Sequence, residues 1–235
     1  NNKVQCRLCN HFCIVDEGHR GLCGVRENRS GTLLSLVHGK IIAGHCDPIE
    51  KKPLFHFLPG SLSYSIATVG CNFRCLFCQN ADISQMPLDQ NRILGEDTTP
   101  EDIVQSAINQ GATSISYTYT EPTIYMETAL ETARVATEKG LRNIFVSNGY
   151  MTPEALEKMG ENLHAANVDL KAFNKKFYRE QCGAKLEPVL KTLETLKAMG
   201  VWLEVTTLLI PGLNDKPEEL RDLAQFLVDL DPGIP

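Results

Sequence analysis

The sequence predicts an α/β fold: a partial (β/α) barrel of parallel strands over residues 61–235, preceded by a small N-terminal metal-binding β subdomain over residues 1–60. Three observations carry this. From Tyr64 onward, five apolar stretches of strand length alternate with five of helical length, punctuated by proline, glycine and capping side chains. That alternation builds a parallel sheet with helices outside it, because parallel neighbours need a long crossover between them. The first sixty residues have little core of their own. Seven of the nine cysteines fall into two tight groups, one in each part of the chain.

The first group is Cys6, Cys9, Cys13 and Cys23, spaced C-x2-C-x3-C-x9-C. Four thiolates at this spacing can close a tetrahedral shell, and either a structural zinc ion or an auxiliary iron-sulfur cluster answers to it. Zinc is the expectation, because a short segment without a core gains its folding energy from a metal. Gly21 and Gly24 beside Cys23 suit a tight knuckle. His11 and His19 could substitute as ligands, but four cysteines make them unnecessary, and both read as solvated loop residues. Residues 32–42 read as two short strands around His38-Gly39-Lys40, a hairpin pattern. From Asp47 to Phe57 the chain is dense in charges, ends in aromatics and carries Pro48 and Pro53, with Pro59 following. It reads as an extended segment, either a stiff linker or the rim of a site.

The repeating part follows in order. A buried strand is expected over 64–70, and a helix over 101–110 capped by Thr99-Pro100-Glu101-Asp102 and stopped by Gly111. Strand 113–119 leads to helix 124–139 and Gly140. Strand 143–147 leads to a helix opened by Thr152-Pro153-Glu154. Strand 166–172 leads to a helix running through 190–199 and ending at Gly200. Strand 202–210 leads to a helix from Asp215-Lys216-Pro217-Glu218 to about 230. In such folds ligands gather at the carboxyl ends of the strands.

The second cysteine group sits at the first of those ends, in Gly70-Cys71-Asn72-Phe73-Arg74-Cys75-Leu76-Phe77-Cys78-Gln79-Asn80. A cubane iron-sulfur cluster takes one thiolate per iron, so Cys71, Cys75 and Cys78 leave one iron open to another ligand; the next cysteine is Cys182. A zinc site completed by histidine, or inert buried thiols, are the plainer readings, but no histidine lies in the dozen residues on either side. The C-x3-C-x2-C spacing, with glycine before it and Phe77 before the last cysteine, resembles the radical S-adenosylmethionine (SAM) superfamily. The resemblance implies a 4Fe-4S cluster whose open iron is chelated by SAM. Phe77 would then flank the adenine, with Asn80 at the tail of the same loop in the SAM-binding set.

The other strand ends carry polar residues to match. After the second strand, Tyr119-Thr120-Glu121 stands where the superfamily has Gly-Gly-Glu, so Glu121 would hold the SAM ammonium while Tyr119 and Thr120 replace the two glycines. A helix-capping role for Glu121 is the alternative. Ser147 and Asn148 end the third strand. Asp169 and Lys171 on the fourth resemble the Asp-x-Lys pattern of glycyl-radical-enzyme activases, where such residues surround the SAM methionine moiety; a plain buried ion pair is the alternative. On the fifth strand Glu204 and Thr206 should alternate inward. The activases have an arginine near the Thr206 position, so this chain departs from them there.

The core from Tyr64 on resembles the activating enzymes of pyruvate formate-lyase. With the N-terminal knuckle and the Asp47-to-Leu54 segment, the whole is more similar still to the radical SAM members of the AmmeMemoRadiSam system. The resemblance implies reductive cleavage of SAM to a 5'-deoxyadenosyl radical, a reductant such as flavodoxin or ferredoxin, and a glycyl radical enzyme as nominal partner. Hydrogen abstraction from another protein or a small molecule, and a metal-binding electron-transfer module without SAM, are the competing readings. Barrels of this family have six strands and the sequence shows five, so the sixth is expected to be missing and the protein to be shortened or to continue.

Composition bounds the rest. A 43% hydrophobic and 22% charged chain with no membrane-length apolar run and no signal peptide is expected in a reducing cytoplasm, with no membrane partner. A net charge of -6 argues against nucleic-acid binding by bulk charge. The chain starts at Asn1 rather than methionine, so some trimming is expected. Cys46 and Cys182 read as free buried thiols.

Overall fold

The computed structural model describes residues 2–235. Two small hairpins open the chain: β1 (Val4–Gln5) with β2 (Ile14–Val15), and β3 (Arg26–Arg29) with β4 (Thr32–Ser35). The second turns at Ser30 and Gly31, whose φ angles of 54° and 80° match the primed turns that follow strand twist. This replaces the hairpin expected around His38-Gly39-Lys40. Gly39 does turn the chain, but the strand after it, β5 (Lys40–Ile41), takes its partner from far along the sequence.

Next come β6 (Ala43–Pro48), β7 (Leu62–Ala67), α1 (Ala81–Ser84), α2 (Met86–Asp89) and β8 (Glu96–Asp97), the partner of β5. The repeats follow as α3 (Pro100–Asn109), β9 (Ser114–Tyr117), α4 (Met126–Glu138), β10 (Arg142–Ser147), α5 (Pro153–Met159) and β11 (Ala165–Asp169). The last elements are α6 (Lys175–Phe177), α7 (Leu186–Ala198), β12 (Trp202–Thr206) and α8 (Pro217–Leu230). Thr99 caps α3 as expected: its hydroxyl accepts the Asp102 N–H while the Asp102 carboxylate accepts the Thr99 N–H.

The main sheet runs β12-β11-β10-β9-β7-β6, with five parallel strands and β6 antiparallel at one edge. The sheet of the 61–235 part therefore draws its edge strand from residues that the sequence groups with the N-terminal part. At the other edge, the Val205 N–H donates to the Pro235 carbonyl. All five parallel strands begin within two residues of expectation, but four end earlier, at residues 67, 117, 169 and 206, where the backbone turns into the loops that build a cavity. No helix among the described residues is long and apolar enough to cross a membrane.

Strand alternation sorts the sheet into two unlike faces. On one, Ile66, Tyr117, Phe145, Ala166 and Leu203 lie in register and join the main core beneath the helices. On the other, Ser65, Ser116, Ile144 and Ala165 leave room for the segment 49–57, whose Ile49 and Leu54 pack on Ile144 and Ala165. Burying each of those two side chains contributes about 1.5–3 kcal/mol. The Asp47–Phe57 stretch is thus a plug seated on the inner face; its solvated-linker reading is corrected by the burial of Ile49, Lys52 and Leu54.

Candidate active site

β7 leads through Val69 and Gly70 into the cysteine loop. Gly70 sits at φ 101°, and a Cβ there would lie 2.7 Å from Val25 Cγ1 and 3.1 Å from the Cys23 carbonyl oxygen, so only glycine fits. The loop is then pinned from several sides. Phe73 N–H donates to Cys71 Sγ at 3.4 Å, and Asn148 Nδ2 donates to Asn72 Oδ1 at 2.7 Å. Arg74 N–H and Leu76 N–H, on either side of Cys75, donate to the carbonyls of Cys182 and Gln181 at 3.0 and 2.9 Å. Cys78 Sγ lies 3.4 Å from Ser84 Oγ.

Cys71, Cys75 and Cys78 line one cavity of about 490 Å³ at the carboxyl ends of the parallel strands. Phe77 and Asn80 line it from the same loop; Tyr119, Thr120 and Glu121 come from the end of β9, and Ser147 and Asn148 from β10. Asp169 and Lys171 come from β11, and Thr206 from β12. Lys51 and Pro53 add the rim that the sequence offered as one reading of their segment. A larger cavity of about 730 Å³ opens between Arg142 and His164 at the other end of the strands, and none of these groups faces it.

Glu204 is the exception among the expected site residues. It does point to the inner face, but its carboxylate is covered by the plug: it accepts the N–H groups of Phe55, His56 and Phe57 at 2.9–3.1 Å and Trp202 Nε1 at 3.0 Å. Alternation told which side of the strand it faces, not what lies over it.

Glu121 is 1% exposed, and its two oxygens are unequally engaged. Its Oε1 accepts from the Thr123 N–H, the Thr123 hydroxyl and the Ser147 hydroxyl, whereas Oε2 accepts only the Asn148 N–H, at 2.9 Å. Burial raises its pKa against the lowering effect of those donors. Burial, and then the Glu121 charge, push the Cys71 thiol well up. Lys171 Nζ pairs with Asp169 Oδ2 at 2.9 Å and lies 5.9 Å from the Phe77 ring centroid. Burial opposes its charge, but Asp169 and Cys75 outweigh it and hold the ammonium above the usual range.

Cys182 joins the site, which sequence spacing gave no means to see across a hundred residues. It is fully buried at the end of a π-helical turn, Tyr178–Cys182. Its thiol lies beside that of Cys75, and the two sulfurs titrate as a pair in which the Cys75 pKa is lowered and that of Cys182 raised. Cys46, by contrast, is only half-buried.

The N-terminal knuckle docks directly behind this loop. His11 is no solvated residue: its Nε2 lies 2.7 Å from the Asn72 carbonyl, and its ring is 4.8 Å from that of Tyr150. His19 is exposed. Cys6 N–H donates to the Cys13 carbonyl, Cys9 bridges Met151, and Cys23 abuts Gly70. Arg26 is buried beside Cys6 and Cys23, paired with Glu127, and its Nε has no partner. Among the described residues, no three His, Cys, Asp or Glu side chains gather closely enough to hold one metal ion, so the expected zinc gains no support from geometry.

The donor set at the cavity does fit a cluster and SAM. Three soft thiols from one loop open onto a shared space without converging on a point, as one thiolate per iron requires. Across it, Glu121 Oε2 keeps acceptor capacity for an ammonium group.

The sequence model of the Radical SAM superfamily matches residues 65–227. An uncharacterized protein of Methanocaldococcus jannaschii is 46% identical over 97% of this chain and 67% of its own length. A pyruvate formate-lyase-activating enzyme of Streptococcus mutans is 26% identical over 73% of this chain and 68% of its own. The chain thus spans about two thirds of each relative. Among solved structures, SuiB of Streptococcus suis bound to S-adenosylmethionine aligns with a TM-score of 0.55 at 16% identity, over 69% of this chain and 36% of that one, a likeness of fold.

Proposed function

The chain belongs to the radical SAM superfamily, and from that premise we propose that it is a SAM-cleaving enzyme whose Cys71, Cys75 and Cys78 ligate a 4Fe-4S cluster, with activation of a glycyl radical enzyme as the nominal reaction. When bound, cluster and SAM supply one-electron cleavage to methionine and a 5'-deoxyadenosyl radical that abstracts hydrogen from the substrate. The chain's own residues bind, orient and exclude water. In this reading Glu121 Oε2 accepts from the SAM ammonium, Phe77 flanks the adenine, and Asn148, Asp169 and Lys171 line the methionine or ribose side. Asn80, Tyr119, Thr120, Ser147 and Thr206 complete the wall. The observation that carries it is the convergence of three thiols and one buried carboxylate on a single cavity at the carboxyl ends of the strands.

The finer assignments belong to the same proposal. Residues 1–60 form a knuckle and small β subdomain carried by the 61–235 unit, and Cys6, Cys9, Cys13 and Cys23 bind zinc or an auxiliary cluster. The enzyme works in the cytoplasm with a flavodoxin or ferredoxin as reductant. Its substrate is a glycyl radical enzyme or, in the second reading, another protein or a small molecule. The test is anaerobic: reconstitute with iron and sulfide, reduce, add SAM, and measure 5'-deoxyadenosine and metals per chain. Product with about four irons supports one radical cluster, and about eight supports two. An intact cluster that yields no 5'-deoxyadenosine removes the proposal. A glycyl radical signal on a partner polypeptide separates activation from the other substrates.

A further inference from the structure

Tyr119 holds a conformation that its side chain disfavours. Its φ is 60°, and the Thr120 N–H donates to the Thr118 carbonyl at 2.7 Å across it, so β9 ends in a tight three-residue turn with tyrosine at the left-handed centre. Turns of this kind are rare and strained, and a non-glycine residue stays in one only when its surroundings hold it. Here the holding group comes from the plug. Lys52, 2% exposed, has its Nζ 3.2 Å from the Tyr119 hydroxyl, 4.8 Å from the centre of its ring, and 3.1 Å from Asp47 Oδ2. The Tyr119 hydroxyl in turn donates to Asp47 Oδ2 at 3.3 Å. Hydrogen bonds from Lys51 and then Lys52 hold the Asp47 carboxyl down at about 2, so the buried lysine faces an ionised partner.

We infer that Lys52, acting with Asp47, is a positioning residue for the SAM ammonium site: it clamps Tyr119 in the left-handed turn and so fixes the backbone that delivers Glu121 to the cavity. Glycine needs no such clamp at this position, because it adopts positive φ without strain. The chain combines a tyrosine at the turn with a lysine and an aspartate from the plug that grip it. From the other side, Asn80 Nδ2 donates to the Tyr119 carbonyl at 2.8 Å, so the turn is also tied to the tail of the cysteine loop. The inference rests on the reading of Glu121 as the ammonium ligand.

The experiment is a double-mutant cycle between Lys52 and Tyr119 in the full chain. In the cluster-loaded protein, Lys52→Met is expected to weaken SAM binding by calorimetry about tenfold. The KM for SAM should rise with it, while kcat stays within about twofold, because no reacting atom is touched. Tyr119→Gly, which also removes a side chain from the cavity wall, sets its own reference affinity, and in its background Lys52→Met should have no further effect. Tyr119→Phe, which keeps the ring and removes the hydroxyl, gives a milder loss if Lys52→Met fails to fold. Wild-type affinity in Lys52→Met, or effects of Lys52→Met and Tyr119→Gly that simply multiply, overturns the inference. A wild-type cluster-loaded protein that binds no SAM removes the Glu121 reading instead. The clamp itself is then decided by thermal unfolding of the metal-free variants: a lowered Tm in Lys52→Met that Tyr119→Gly suppresses upholds it, and an additive loss overturns it.

Discussion

The backbone N–H of Asn148 donates to Glu121 Oε2 at 2.9 Å, joining the ends of two adjacent parallel strands at one buried carboxylate. Asn148 then reaches with its side chain to Asn72 in the cysteine loop. A single chain of contacts thereby links the proposed ammonium ligand to the loop of the three thiols. This geometry gives Glu121 a dual character, since the groups that orient it also bury it.

Glu121→Gln should weaken SAM binding by one to two orders of magnitude, because a neutral amide cannot match a carboxylate as partner for an ammonium (about 1.5–3 kcal/mol for a charge-assisted hydrogen bond). It should also change how stability depends on pH. Burial raises the Glu121 pKa above its ordinary 4.5. An acid with a raised folded-state pKa binds protons more tightly folded than unfolded. Its burial is therefore unpenalised below the ordinary value and becomes more costly as pH climbs toward the raised one. In the metal-free protein, the Tm of Glu121→Gln relative to wild type should rise between pH 4.5 and neutrality. A flat difference across that range would sink the argument.

Glu204 should behave in the opposite sense. Burial works to raise its pKa, but the N–H of Phe55, the Trp202 indole and the N–H of His56 overcome that and hold it low. Stability from a lowered acid is present above the unfolded value and lost as pH falls through the folded one. Glu204→Gln should cost about 2–4 kcal/mol at neutral pH, because it leaves donors of the plug without their carboxylate. The deficit should shrink as pH is lowered through the carboxylate range. Thermal unfolding across pH checks this, and SAM affinity of the folded, loaded variant should stay within a few-fold of wild type, since Glu204 does not line the cavity.

How much of this the sequence discloses depends on the range of each contact. Cys71, Cys75 and Cys78 were legible because their spacing is local, and Glu121, Ser147, Asn148, Asp169 and Lys171 because each follows a strand whose end is marked. Glu204 faces inward as alternation predicts, but alternation fixes a face and not a cover, and the cover is a segment 148 residues earlier. Lys52, Asn72 and Cys182 act through tertiary contacts that leave no local pattern. The knuckle cysteines share a local spacing, but among the described residues no three of them gather as one metal site, and their docking behind the cysteine loop depends on Gly70 and His11, neither of which announces a partner.

Cys182→Val puts a slightly larger apolar side chain at this buried position and removes the S–H that lies beside Cys75. Hydrogen bonds to cluster sulfurs favour the reduced, more negative state. With Cys75 as an iron ligand, the midpoint potential of the reconstituted cluster should move to more negative values in Cys182→Val. It should remain close to wild type in Cys182→Ser, which retains a donor. A redox titration followed by electron paramagnetic resonance reads the shift. Equal potentials in all three proteins would show that Cys182 serves only as packing.

Gly70→Ala tests whether the knuckle and the cysteine loop are one mechanical unit. At φ 101° any Cβ is strained, and this one would meet Val25 Cγ1 at 2.7 Å and the Cys23 carbonyl oxygen at 3.1 Å. The side-chain clash can relax, but the backbone contact cannot move without shifting Cys23 itself. Strain and overpacking together should cost about 3 kcal/mol or more. The variant should therefore lose thermal stability and, because Cys71 is the next residue, iron loading at the three-cysteine site. Adding Val25→Ala should recover part of the Tm and little of the iron, since it relieves the side-chain clash and leaves the disfavoured φ and the Cys23 contact in place. Full recovery of both would mean that the two cysteine groups meet only through Val25, and that the carbonyl of Cys23 places no constraint on the loop.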